Sequence, residues 1–131
     1  MCIRDRVARW LEANPLVDRV IWAGLESSPW YERAQKYLPK GPGAVVGFTL
    51  KDATLEQTRD FVDALKLHSN VANIGDVRSL VIHPASTTHS QLSAEELEKI
   101  GVYPNFVRLA VGIENIDDIL ADLQLGFDTL S

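Results

Sequence analysis

The residue that most invites chemistry is Arg108. It stands in "FVRLAVGIE" (106–114), a stretch otherwise built of strand-core residues: Phe106, Val107, Leu109, Val111 and Ile113. A guanidinium keeps its charge at any working pH, and burying one without a partner is costly. Arg108 therefore needs an anion. One choice is a structural ion pair with one of the 18 carboxylates of the chain. The other is a bidentate clamp on the carboxylate or phosphate of a bound molecule, the task guanidinium geometry suits best. The residues leave both open.

A second group surrounds His83 and His89, which frame "HPASTTH". Their spacing across a proline is no standard metal-ligand pattern and no cysteine supports one, so the two read as core or loop-bracing histidines and no metal is expected. Ser86, Thr87, Thr88 and Ser90 fill the same loop with hydroxyls. Such loops usually satisfy their own backbone, although hydroxyls beside an arginine could also orient a bound acid. A Ser/His nucleophile pair lacks the elbow pattern that would expose it. Asn73 and Ser79 flank a turn in "NIGDVRS", whose single glycine does not make a phosphate-cradling loop. No two carboxylates stand out as a general acid/base couple. What remains is an anion-binding arginine, a hydroxyl-rich loop and no catalytic group.

The elements that must position these residues are short and alternate. Val7, Trp10 and Leu11 have helical spacing with no N-cap before them, and "LVDRVIW" (16–22) alternates as a strand. In "GLESSPWYERAQKYL" Ser28 is the expected N-cap of a helix with Pro29 at its first position. The strand "AVVGFTL" (44–50) follows a Gly/Pro break. Thr54 and Gln57 form a capping box for a helix that turns Leu55, Phe61, Val62 and Leu65 to one face. "HSNVANIGDV" is irregular, "SLVIHP" is a strand stopped by Pro84, and Ser93 with Glu96 caps a short helix ended by Gly101. After the Arg108 strand, a last helix starts near Asn115, with Ile116, Ile119, Leu120 and Leu123 spaced for burial. The pattern predicts one α/β domain with about four strands and the helices mainly on one face of the sheet.

Composition bounds the function classes. The chain has 131 residues, 46% hydrophobic and 24% charged, with a net charge of -5, which argues against a nucleic-acid or anionic-membrane footprint. No apolar run approaches the ~18 residues a membrane span needs. The lone Cys2 cannot form an internal disulfide, which fits a reducing cytoplasm. The first six residues, "MCIRDR", read as a translated adaptor rather than native chain, leaving 7–131 as the genuine domain.

Taken together, "NIGDVRSLVIHPASTTHSQL" and "VRLAVGIENIDDILADL" resemble the C-terminal small domain of the Cys/Met-metabolism pyridoxal-phosphate enzymes, which are fold-type I transferases. The likeness extends upstream through "AGLESSPWYERAQKYLPKGPGAVVGF", and "NIGD", "SLVIHPASTTH" and "SPWYERAQKYLPKG" are most similar to the O-acetylhomoserine sulfhydrylase branch. The resemblance implies that Arg108 holds the α-carboxylate of an amino-acid substrate, that Asn73 lines the same pocket with Thr88 close by, and that Ser79 lies just behind. The chain departs from the family's "RLSVGIE" at Ala110, which removes one hydroxyl beside the arginine. The cofactor lysine, the phosphate-binding residues and the aspartate facing the pyridinium nitrogen are implied to lie in a large domain upstream. None of Lys36, Lys40, Lys51, Lys66 or Lys99 sits in a context like the cofactor-lysine motif. The chain by itself is thus expected to be inactive. The implied reaction of the parent replaces the acetate on Cγ of O-acetylhomoserine by sulfide or a thiol, giving homocysteine or methionine, in a cytoplasmic homotetramer. Cystathionine γ-synthase, cystathionine γ-lyase and methionine γ-lyase are same-family alternatives, and a carboxylate-binding α/β module is the non-enzymatic one.

Overall fold

Three amphipathic helices cover one face of a five-stranded sheet, packing on Val46, Phe48, Val107 and Leu109. The computed structural model describes residues 2–131. The strands are β1 (Val17–Ile21), β2 (Val45–Leu50), β3 (Ser69–Asn70), β4 (Leu80–Ile82) and β5 (Phe106–Ala110), in the order β1-β2-β5-β4-β3. Every neighbouring pair is antiparallel except β3 and β4. Five helices join them: α1 (Ile3–Glu12), α2 (Tyr31–Tyr37), α3 (Leu55–Asp63), α4 (Ala94–Lys99) and α5 (Ile116–Asp128). A short 3-10 turn, Pro84–Ser86, follows β4. Among the described residues no helix is long and apolar enough to cross a membrane.

Strand alternation sorts the side chains. Val46, Phe48 and Leu50 of β2, Val81 of β4, and Val107 and Leu109 of β5 join Val7, Ala8 and Leu11 of α1, Phe61 and Val62 of α3, and Ile119, Leu123 and Phe127 of α5 in one core. Phe48, Phe61 and Phe127 meet at its centre; the closest pair, Phe61 and Phe127, packs edge to face at 4.9 Å. Each such buried ring contributes roughly 2–3 kcal/mol through lost water contact. Gly126 is required here by space alone, because a Cβ would lie 2.7 Å from the Phe61 ring.

The helix starts expected at Thr54, Ser93 and Asn115 are all present. Thr54 Oγ1 accepts from the Gln57 N–H (3.2 Å) while Gln57 accepts from Thr54 N–H (2.9 Å). Ser93 and Glu96 make the same reciprocal pair, and Asn115 Oδ1 accepts from Asp117 N–H at 2.8 Å.

Five expectations need correction. A fifth strand exists: the polar pair Ser69–Asn70 carries no alternation, and joins the edge because Ser69 N–H donates to the Ser79 carbonyl. The Arg108 strand stops at Ala110 rather than 114, and Ile113 is 75% exposed rather than core. Past Ala110 the amides of Val111, Gly112 and Ile113 bind Ala44 O, Ser79 Oγ and Val77 O, outside the ladder. Leu55 is 36% exposed, since the first turn of α3 reaches past the core. α1 does not begin uncapped at Val7. It starts at Ile3, where Asp5 accepts the Cys2 N–H and Ile3 packs against the core. Ser28 caps only a turn: it accepts the Trp30 N–H, and α2 starts later, at Tyr31.

Candidate functional site

Arg108 is fixed by ladders on both sides. It faces Gly47 of β2 and Ile82 of β4 in register, so these three residues share a face of the sheet, as do Phe106 and Ala110 two residues either way. That face lies opposite the core that packs on the helices, and Ile82, Leu80 and Thr49 on it are buried too. The Phe106 ring lies so close over Gly47 that a Cβ there would be 2.6 Å from it. Arg108 is half-buried among these apolar neighbours rather than fully interior. Among the described residues no carboxylate pairs with its guanidinium and no acceptor takes its hydrogens. The structural ion pair, one of the two choices left open by the sequence, is not formed.

Ser79 is wholly buried and uses every polar atom it has. Its N–H donates to Glu114 Oε1 (2.7 Å) and its hydroxyl to Glu114 Oε2 (2.8 Å). Its Oγ accepts from Gly112 N–H (2.9 Å), and its carbonyl accepts from Ser69 N–H (3.1 Å). Burial works against ionisation of Glu114, but the two bonds from Ser79, together with the Glu114 backbone amide and the nearby His68, hold the carboxyl below its ordinary range. Gly112 is required by this knot. A Cβ on it would lie 2.5 Å from Glu114 Oε2, from Ser79 N and from Val77 O.

Asn73 is exposed, and its Oδ1 accepts from the next amide, Ile74 N–H, at 2.9 Å. Thr88 is also exposed, with Oγ1 2.8 Å from His89 Nδ1. Neither bonds to Arg108. The segment carrying Asn73 is tied at its start by Asp122 of α5, which accepts from the N–H groups of Lys66 (2.7 Å), Leu67 (2.9 Å) and His68 (3.0 Å), and bonds His68 Nδ1 at 2.7 Å. Burial disfavours the Asp122 anion, yet the His68 ring and the three amides together keep its carboxyl low. In the same segment Arg78 donates to Asp76 from its side chain and its backbone, drawing that carboxyl down to about 2.

His83 is a brace, as expected. It is buried, with Nε2 on the Pro104 carbonyl (2.7 Å) and Nδ1 on Ser86 Oγ (2.8 Å), so it ties the turn after β4 to the residue that leads into β5. Burial pushes its pKa down, against the pull of the Pro104 carbonyl.

Two residues of this arrangement, Glu114 and Asp122, are not among the sequence candidates. An acid two residues beyond a glycine at the end of an apolar run is the only local hint of Glu114. For Asp122 the hint is a charge on the apolar stripe of α5, between Ile119 and Leu123.

The family model "Cys/Met metabolism PLP-dependent enzyme" matches residues 4–128. The chain belongs to that family. An O-acetyl-L-homoserine sulfhydrylase of Corynebacterium glutamicum is 52% identical over 122 residues, which are 93% of this chain and 28% of that protein. A Campylobacter jejuni structure described as an O-acetylhomoserine (thiol)-lyase, carrying N'-pyridoxyl-lysine-5'-monophosphate, superposes with a TM-score of 0.86 at 38% identity, over 96% of this chain and 30% of that one. A cystathionine γ-synthase of Xanthomonas oryzae, in complex with aminoacrylate and cysteine, gives 0.85 at 34% identity, over 97% and 32%. The chain thus spans a little under a third of the relatives it matches, and its fold is that of the corresponding part of these Cys/Met-metabolism enzymes. All five lysines, Lys36, Lys40, Lys51, Lys66 and Lys99, lie on the surface of the chain.

Proposed function

We propose that this chain supplies the substrate α-carboxylate clamp of a γ-replacement enzyme that converts O-acetylhomoserine, with sulfide or a thiol, to homocysteine or methionine. The observation that carries the clamp is the guanidinium of Arg108. It is half-buried on the sheet face opposite the main core, flanked by apolar strand residues, with no carboxylate partner among the described residues. An arginine so placed has two parallel N–H groups free for a planar carboxylate, and water is partly excluded from the pair. Ladder pairing on both sides makes its backbone rigid, so it orients what it holds. Asn73 belongs to the same pocket in this reading, with Thr88 at its margin and Ser79 behind it.

The branch rests on identity. Sulfhydrylases of Corynebacterium, Leptospira and Thermus are 50–52% identical to this chain, against 34% for the cystathionine γ-synthase structure. Pyridoxal phosphate and the proton-transfer groups then reside in the part of the full-length enzyme outside this span, and the chain by itself is inactive. The test is a hybrid holoenzyme: the Corynebacterium sulfhydrylase with its matching segment replaced by residues 4–128. With O-acetylhomoserine and sulfide it forms homocysteine at a rate comparable with the parent. A hybrid that instead accepts cysteine to form cystathionine, and leaves sulfide unused, would move the chain to the γ-synthase branch.

A further inference from the structure

We infer that Glu114 is a positioning residue, which sets the segment carrying Asn73 against the strand carrying Arg108 by its double grip on Ser79. The inference rests on the Arg108 reading above and deepens it.

The segment from Lys66 to Ser79 is held at its two ends by two carboxylates that both follow β5 in the chain. Asp122 takes the amides of Lys66, Leu67 and His68, and Glu114 takes Ser79. Between the ends, the side-chain bonds are local: Asn73 to Ile74, Arg78 to Asp76. Asn73, Ile74 and Val77 are exposed, and no core residue holds them. Where Asn73 sits relative to Arg108 is therefore set from both sides, by the β3–β4 pairing that ends at Asn70 and by the anchor at 77–79, and Ser79 serves both because its carbonyl takes the Ser69 N–H.

That anchor and Arg108 share one ladder. Leu80 pairs with Ala110 and Ile82 with Arg108, so Ser79 meets the chain just past the last rung. Glu114 folds back so that its Oε2 lies over Gly112, a residue with the same strand parity as Arg108. Ile113 N–H reaches Val77 O at 3.1 Å and completes the seam. Two acceptor oxygens are needed at once, one for the Ser79 amide and one for its hydroxyl, which is why a carboxylate serves. Without it Arg108 stays in place, held by β2 and β4, while the Asn73 segment loses its fixed distance. The loss falls on binding, not on bond making.

The experiment uses the hybrid holoenzyme and compares Glu114→Ala, Glu114→Gln, Ser79→Ala and Arg108→Ala. Glu114→Ala raises KM for O-acetylhomoserine about tenfold with kcat within about twofold, the pattern of lost ground-state positioning. Glu114→Gln, which keeps one acceptor oxygen for the Ser79 amide, brings KM back to within about threefold of the reference, and Ser79→Ala, which removes only the hydroxyl, gives a rise of about threefold. If Glu114→Ala does not fold, Ser79→Ala and Glu114→Gln decide, and an unchanged KM in Ser79→Ala overturns the inference. It is equally overturned if Glu114→Ala folds and leaves KM unchanged while Arg108→Ala raises it. An Arg108→Ala protein with unchanged KM would instead remove the clamp reading, and the role of Glu114 with it.

Discussion

Asp122 on α5 collects the amides of Lys66, Leu67 and His68 with its two oxygens and holds the His68 ring at 2.7 Å. One carboxylate thereby ends α3's connection, starts β3 and docks both against α5. It does the work of a C-terminal cap from a distant helix.

Removing that carboxylate leaves three amides, that of buried His68 among them, and the buried His68 ring without their acceptor. Asp122→Ala is expected to destabilise the fold by about 3 kcal/mol, the cost of donors that lose a charged acceptor. Urea denaturation of the 131-residue chain measures it. A loss below about 1 kcal/mol would mean that water replaces the carboxylate there without strain.

Acid should act on the same bonds. Asp122 and Glu114 both ionise below their ordinary range in the folded chain. The unfolded chain therefore binds protons first as pH falls. Their contribution is complete above the unfolded carboxylate range, about 4, and is lost as pH drops through the lower folded values. Unfolding free energy measured from pH 6 down to pH 2 should fall, and fall less in Asp122→Asn. Equal slopes in the two proteins would contradict the low Asp122 value.

His83 titrates in the same sense for another reason. Burial keeps it neutral, so its folded pKa lies below the ordinary 6.5. The stability it carries is present above that value and declines as pH falls through the folded one. Ring-proton chemical shifts against pH should give His83 a midpoint below 6.5. A His83 midpoint at or above 6.5 would contradict the buried brace.

Gly112 has no room for a side chain. Gly112→Ala drives a methyl to 2.5 Å from Glu114 Oε2, Ser79 N and Val77 O, two of them backbone atoms that cannot swing away. The expected cost is about 1–3 kcal/mol, read as a lowered Tm. Gly43, with nothing near its missing Cβ but a positive φ of 83°, serves as the comparison, since its penalty is backbone strain alone.

Much of this was legible in order along the chain. Capping boxes at Thr54 and Ser93 and the Asn115 cap are local bonds, so local sequence specifies them. The core faces of β2 and β5 follow from alternation, and Arg108 stood out because it broke a run of apolar residues. What sequence spacing could not reach is pairing across distance. Ser79 and Glu114 are 35 residues apart, and Asp122 is 54 from His68. Neither acid has meaning until β4 and β5 lie side by side. The strand Ser69–Asn70 escaped for the same reason: its place at the sheet edge is assigned by the Ser79 carbonyl, not by its own residues. Ile113 misled through its apolar type, although Gly112 before it marks where the ladder gives way.

The most direct measurement is the KM for O-acetylhomoserine of the hybrid holoenzyme carrying Arg108→Ala. A rise of about 100-fold, close to the ~3 kcal/mol of a charge-assisted bidentate pair, is the expected result. An unchanged KM with normal folding would contradict the clamp and leave Arg108 as a half-buried cation without a ligand.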